Sequence, residues 1–204
     1  MNRSWVQGVV ALSASVALAS GPGARRDQPL DASLVSSRGE AVQLKAHFGL
    51  PTVLFYEDRQ STALNQQTKD ELFARGKRDG LLQAAKVVAV ANLEGYDWFP
   101  ARDFALAGVR DAEVKAGVPV LVDWRGVLTA PPWGLPARTS SVLLLDPVGR
   151  VTFERSGRLT DADRAALFAA LRELIDSAPK RAEGAAPTTP SGDVAAPAHP
   201  AAAR

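Results

Sequence analysis

Few side chains in this sequence have the type and spacing that chemistry requires. The chain holds no cysteine, which excludes disulfides, thiolate metal sites, cysteine nucleophiles and CxxC redox chemistry. Its two histidines are His47 and His199, too few for a multi-histidine metal centre. The polar run Tyr56-Glu57-Asp58-Arg59-Gln60-Ser61 directly follows an apolar segment. The N–H groups of a helix starting there can hold an anion or a peptide carbonyl. The plainer role of Asp58 or Ser61 is to cap that helix. Glu57 and Asp58 invite an acid–base reading, but adjacent residues point apart and such catalysis needs convergent groups. Thr139-Ser140-Ser141 is a second polar cluster. It is no hydrolase signature, because there is no GxSxG elbow and His47 is the only histidine available to a triad. Asp97, Asp123 and Asp146 each sit at a turn, where aspartate accepts backbone hydrogen bonds rather than a metal. No catalytic residue, metal ligand or cofactor is assigned.

Composition narrows the classes further. The 204 residues are 46% apolar and 23% charged, the proportions of a globular domain with tails. Lys and Arg number 24 against 22 Asp and Glu, for a formal charge of +2. That surplus belongs to Arg3 and to the C-terminal segment, so the body between them is neutral. A nucleic-acid protein needs a basic stripe to neutralise phosphates. The nearest candidate, Arg75-Gly76-Lys77-Arg78, reads as the basic last turn of a helix, so no nucleic-acid partner is expected.

The two ends read as something other than fold. Residues 1–19 have the layout of a secretory signal: Arg3 at the start, an uncharged, mostly apolar stretch to Leu18, and Ala17-Leu18-Ala19 as a small-x-small cleavage site. No cysteine follows to make a lipoprotein, and Arg25-Arg26 comes too late for a twin-arginine signal. The expected location is periplasmic or secreted, with no stable membrane span once the signal is removed. Residues 20–40 read as a flexible N-terminal segment. Residues 178–204, rich in Ala and Pro, read as a disordered tail or spacer.

Between them, residues 41–177 alternate strand and helix signals. Residues 41–45 suit a short strand. The runs 51–56 (PTVLFY) and 86–91 (KVVAVA) suit strands buried on both faces, with 118–122 a further strand. Leu64, Thr68, Leu72 and Phe73 are helically spaced within 61–77, and Phe104, Ala107 and Val114 mark a helix over 100–116, stopped by Gly117. Residues 141–145 and 151–155 flank a Pro147–Arg150 hairpin turn. Thr160 and Asp163 open a last helix as a capping pair, with Leu167, Ala170, Leu171, Leu174 and Ile175 on one face. The order is β-α-β-α-β, a β-hairpin, then α. That order predicts an α/β fold: a mixed sheet flanked by helices on both faces.

This pattern over about residues 41–175 resembles a thioredoxin-like protein. In that fold the strand before the first long helix ends in an aromatic pair and a CxxC motif; here Phe55-Tyr56 is followed by Gln60 and Ala63 where the cysteines would stand. Ser140 takes the place of the fold's cis-proline, ahead of Val142-Leu143-Leu144-Leu145-Asp146. Several segments are also similar to the YtfJ family of exported thioredoxin-like proteins: Val90-Ala91-Asn92-Leu93-Glu94 with Trp98, Trp124-Arg125-Gly126-Val127, Trp133 with Thr139-Ser140-Ser141, Val148-Gly149-Arg150-Val151 and Gly157-Arg158-Leu159-Thr160. The resemblance implies a redox-inactive exported protein with no established reaction.

The expected role is that of a protein- or peptide-binding module rather than an enzyme. Its contacts would come from Tyr56, Glu57, Asp58, Gln60 and Ser61 beside Thr139, Ser140 and Ser141, on the face where thioredoxin-like relatives grip an extended chain. Two other readings compete: non-thiol chemistry at the same sheet edge, which needs Glu57 in a pocket with a second polar group, and a structural envelope component spaced by the tail. Trp98, Phe99, Trp124 and Trp133 form either a binding surface or a small satellite core.

Overall fold

The computed structural model describes residues 27–177; the expected signal segment and the C-terminal tail lie outside them. Seven strands form one mixed sheet in the order β2-β1-β5-β4-β3-β6-β7. They are β1 Ser33–Ser36, β2 Ala41–Gln43, β3 Thr52–Glu57, β4 Lys86–Asn92, β5 Val120–Asp123, β6 Ser141–Leu145 and β7 Val151–Ser156. The pairs β3–β4 and β4–β5 are parallel, and the remaining pairs are antiparallel. A parallel pair needs a crossover. Helices α1 (Gln66–Asp79) and α2 (Leu81–Ala84) lie between β3 and β4, and α3 (Ala101–Ala116) lies between β4 and β5. The last helix, α4, spans Asp161–Ser177.

Every residue of β3 is buried, as its unbroken apolar run requires of a central strand. Odd-numbered side chains of β3, β4 and β6's even-numbered partners share one face of the sheet. There Val53, Phe55, Val87 and Leu144 meet Leu72 of α1 and Leu167 and Leu171 of α4, while Val120 and Val122 meet Val109 of α3. The sheet is covered on both faces, but its second face is covered differently. Leu54, Tyr56, Val88, Val90 and Leu143 pack there against Leu44 of a 3-10 turn (Leu44–His47) and against Leu128, Trp133 and Leu135 of an irregular segment.

Three sequence expectations change. Residues 20–40 are not uniformly a flexible lead-in. Leu30, Ala32 and Leu34 are buried, β1 inserts between β2 and β5, and the Leu30 N–H donates to Gly149 O at 2.7 Å. The period-two alternation of those three residues is a strand signal, short but sufficient once a neighbouring strand is present. Helix α1 begins at Gln66 rather than Ser61, because residues 58–65 are held in successive turns. In α3 it is Val109, with Ala105 and Leu106, that faces the sheet, whereas Phe104 and Val114 are exposed.

Other local readings hold. The Asp163 N–H donates to Thr160 Oγ1 and the Thr160 N–H to Asp163 Oδ2, both at 3.1 Å, a reciprocal capping box. At the hairpin, Asp146 Oδ1 accepts from Val148 N and Arg150 N. Gly149 there has φ +94°, and a Cβ would fall 2.1 Å from the Phe48 ring, so only glycine fits.

Candidate functional site

The carboxyl end of β3 divides its polar residues between the two faces. Tyr56 points to the second face, where its hydroxyl donates to Asp123 Oδ2 at 3.2 Å. Asp123 ends β5 and also accepts from the backbone N–H groups of Arg125 (3.3 Å), Val127 (2.9 Å) and Leu128 (3.0 Å). It therefore organises the start of the irregular segment, as its turn position suggested. Burial first, and then the Asp123 carboxylate, push the Tyr56 phenol well above its ordinary range, so it stays a neutral donor.

Glu57 points to the helical face. Its Oε2 accepts from Lys69 Nζ of α1 at 2.5 Å, and its Oε1 accepts from Ser140 Oγ at 2.8 Å. Ser140 in turn accepts from Asn65 Nδ2 at 2.8 Å. Asn65 completes its inventory by donating to Gly157 O and accepting from Leu159 N. One connected set of side chains thus ties together the turn after β3, the start of β6, the end of β7 and the approach to α4. Burial raises the Glu57 carboxyl above the ordinary range, and Lys69 and Ser140 offset part of that rise. Asn65 and Lys69 had no signal in the sequence. Neither lies in a recognisable motif, and their partners are remote in the chain.

The turn after β3 is self-capped. Asp58 Oδ1 accepts from the N–H groups of Gln60 (2.9 Å) and Ser61 (2.8 Å), and the Asp58 N–H donates to Ser61 Oγ at 2.9 Å. Neither residue caps α1, the role expected of them: the helix begins at Gln66 with Asn65 at its N-cap, and Asp58 and Ser61 close the preceding turn instead. The two predicted clusters are side by side: Tyr56 is in register with Ser141, and Ser140 bonds Glu57. They are not a contact surface, however. Tyr56, Glu57, Ser61, Ser140 and Ser141 are all buried, and Ser141 is spent on Ser156 Oγ at 2.8 Å. Gln60 is exposed, and Asp58 and Thr139 are half-buried.

What is open at this edge is a cleft of about 660 Å³ between Asp58–Gln60, Asn92 with Glu94–Tyr96, and Ala137-Arg138. It lies beyond the carboxyl ends of the parallel strands β3 and β4, where open α/β sheets hold ligands. Two arginines line it, Arg59 and Arg138. Arg138 holds a left-handed φ of 59°, uncommon for a residue with a side chain. The β6 ladder begins at Ser141, so the Thr139 backbone lies beyond it. Arg59, Arg138 and Asn92 were not singled out from the sequence; the strand ends that gather them are far apart along the chain.

The aromatic group splits. Trp124 and Trp133 are buried in different clusters; Trp124 carries the Arg102 guanidinium over its ring at 4.9 Å, and its indole N–H has no partner. Trp98 and Phe99 are exposed. Asp97 pairs with Arg102 at 2.5 Å.

No family model matches the chain, and no curated protein does. Solved structures do. A secreted thiol-disulfide isomerase from Corynebacterium glutamicum is 18% identical, with a TM-score of 0.53 over 73% of this chain and 86% of that one. An exposed lipoprotein thioredoxin from Streptococcus pneumoniae is 19% identical, with a TM-score of 0.50 over 70% of this chain and 98% of that one. An uncharacterized conserved protein from Geobacillus kaustophilus is 13% identical, with a TM-score of 0.54 over 73% of this chain and 80% of that one. The fold is thioredoxin-like. At these identities the likeness speaks for the fold alone. With no cysteine anywhere in the chain, this thioredoxin-fold protein is not a thiol redox protein.

Proposed function

We propose that this protein is an exported, YtfJ-like binding module that uses its thioredoxin-type edge to hold an extended peptide segment of a partner protein. The observation that supports this most is the cleft formed by Asp58–Gln60, Asn92, Glu94–Tyr96 and Ala137-Arg138. An extended chain laid there meets main-chain groups for hydrogen bonding and two guanidinium groups for carbonyls or carboxylates.

Glu57 does not line this cleft and is buried. The non-thiol enzyme reading has a carboxyl with a raised pKa and a hydroxyl beside it, but that carboxyl lies outside the cleft.

The test is selection from a library of random linear peptides against the protein, followed by titration of the enriched peptides. Because Tyr56 and Ser140 are buried, the informative variant is Arg59→Glu/Arg138→Glu. Enriched peptides should bind the wild type and lose roughly tenfold or more in affinity to the variant, the effect of about 1.4 kcal/mol. Failure to enrich any peptide, or equal binding to both proteins, overturns the proposal. Export is tested separately, by N-terminal sequencing of protein recovered outside the cytoplasm: the mature chain should begin at Ser20.

A further inference from the structure

Strands β3 and β6 pair antiparallel with Tyr56 opposite Ser141. The Ser140 hydroxyl, donating to Glu57 at 2.8 Å, extends that match by one position. The same numbering carried on sets Arg59 against Arg138. Both segments have left the ladder by then, yet both arginines line the same cleft. Two cations brought to one place repel unless an anion joins them. Neither guanidinium has a hydrogen bond or ion pair among the described residues.

The backbone at Arg138 is a second, independent observation. Its φ of 59° is left-handed, and nine glycines take the other positive-φ positions among the described residues. A Cβ makes that conformation costly, whereas glycine adopts it freely. The side chain that brings this cost bonds to nothing in the domain, so the fold does not account for it. Local strain of this kind gathers where a ligand is held.

Two carboxylates also line the cleft. Asp58 turns one oxygen to the N–H groups of Gln60 and Ser61. Glu94 rests its carboxyl against Gly126. The lining is therefore formally neutral, which gives it no pull on a polyanion, but it is divided. Arg59 and Arg138 stand past the ends of β3 and β6, and Glu94 stands past the end of β4.

We infer that this cleft selects peptides by charge: Arg59 and Arg138 take a carboxylate of the bound segment, from an Asp or Glu side chain or from its C-terminus, and Glu94 turns away a second one. The inference rests on the peptide-binding role proposed above and names the chemistry of the peptide. A guanidinium meets a carboxylate through charge-assisted hydrogen bonds, while a like charge across the interface penalises the wrong partner.

Three pools of random linear peptides test this against the protein. The first contains Asp and Glu and has amidated C-termini. The second lacks both residues and is amidated. The third lacks them but ends in a free carboxylate. Enrichment from the first pool identifies a side-chain carboxylate and enrichment from the third a terminal one; either supports the inference. Enrichment from the second pool equal to the others overturns it and leaves the peptide-binding role standing. No enrichment from any pool overturns both. Replacing the acid of an enriched peptide by its amide should weaken binding roughly tenfold or more. In Arg59→Glu/Arg138→Glu that preference for the acid should vanish or reverse, and its persistence overturns the inference. Arg138→Gly removes the side chain and suits the backbone. Its thermal midpoint should hold or rise while affinity for acidic peptides falls several-fold; a lowered midpoint with unchanged affinity assigns Arg138 to the fold and overturns its part in binding. Glu94→Gln should raise affinity several-fold for peptides carrying a second acid, and no gain overturns the part given to Glu94.

Discussion

Tyr56 and Glu57 are neighbours on β3, enter opposite faces of the sheet, and are both buried, yet they depend on their surroundings in different ways. Tyr56 offers a neutral hydroxyl to Asp123, a carboxylate that three backbone N–H groups already satisfy. Glu57 is a buried carboxylate whose countercharge is Lys69 and whose other oxygen rests on Ser140. The first arrangement is redundant and the second is not. A charge taken out of water needs all its partners, whereas a neutral hydroxyl adds one bond to a set that stands without it.

The sharpest way to break this contrast is Lys69→Met. It leaves Glu57 buried without its countercharge and should cost about 3 kcal/mol at neutral pH, read from urea unfolding. That loss should shrink on acidification, because protonated Glu57 needs no countercharge. The wild type carries the same sign in weaker form. Burial raises the folded-state pKa of Glu57 above the unfolded value. Its contribution is therefore full below the ordinary carboxylate pKa of about 4.3 and is lost as pH rises through the raised value. Glu57→Gln should flatten the stability profile in that window, and an unchanged profile would show that Glu57 is not perturbed.

Ser140→Ala comes next. It removes the donor to Glu57 and an acceptor for Asn65, and should cost about 2 kcal/mol in the same unfolding experiment. Tyr56→Phe on the other face should cost about 1 kcal/mol or less, because Asp123 keeps its backbone donors. A cost equal to that of Ser140→Ala would erase the distinction between the two faces. Smallest of all, Gln60→Ala should stay within about 0.5 kcal/mol, since only the Gln60 backbone N–H is used, by Asp58. That variant separates residues that hold the edge together from residues available to a partner.

Asp58 and Ser61 illustrate how much of the site was legible. That they satisfy nearby backbone groups was readable, because donor and acceptor lie within three residues of each other, but they close a turn and leave the helix start to Asn65. Ser140 was placed beside the β3 turn by resemblance, and the structure puts it there. Its exposure was misjudged, because the sequence does not reveal that Asn65 and Glu57 close over it from 75 and 83 residues away. The same limit explains α3. Periodicity marked a helix over residues 100–116, but which side meets the sheet was decided by Val120 and Val122, and Phe104 and Val114 were left exposed.

The sequence by itself determined the strand runs, the hairpin turn, the capping of the last helix and the exclusion of thiol chemistry. Each of these follows from interactions over a few residues or from a residue type being absent. Only the tertiary structure decided that β1 completes the sheet, that most of the expected contact residues are interior, and that a cleft lined by Arg59 and Arg138 opens in front of them. Those outcomes rest on contacts between segments remote in the chain. Burial and the pairing of polar groups belong to the assembled sheet and not to any one stretch of it.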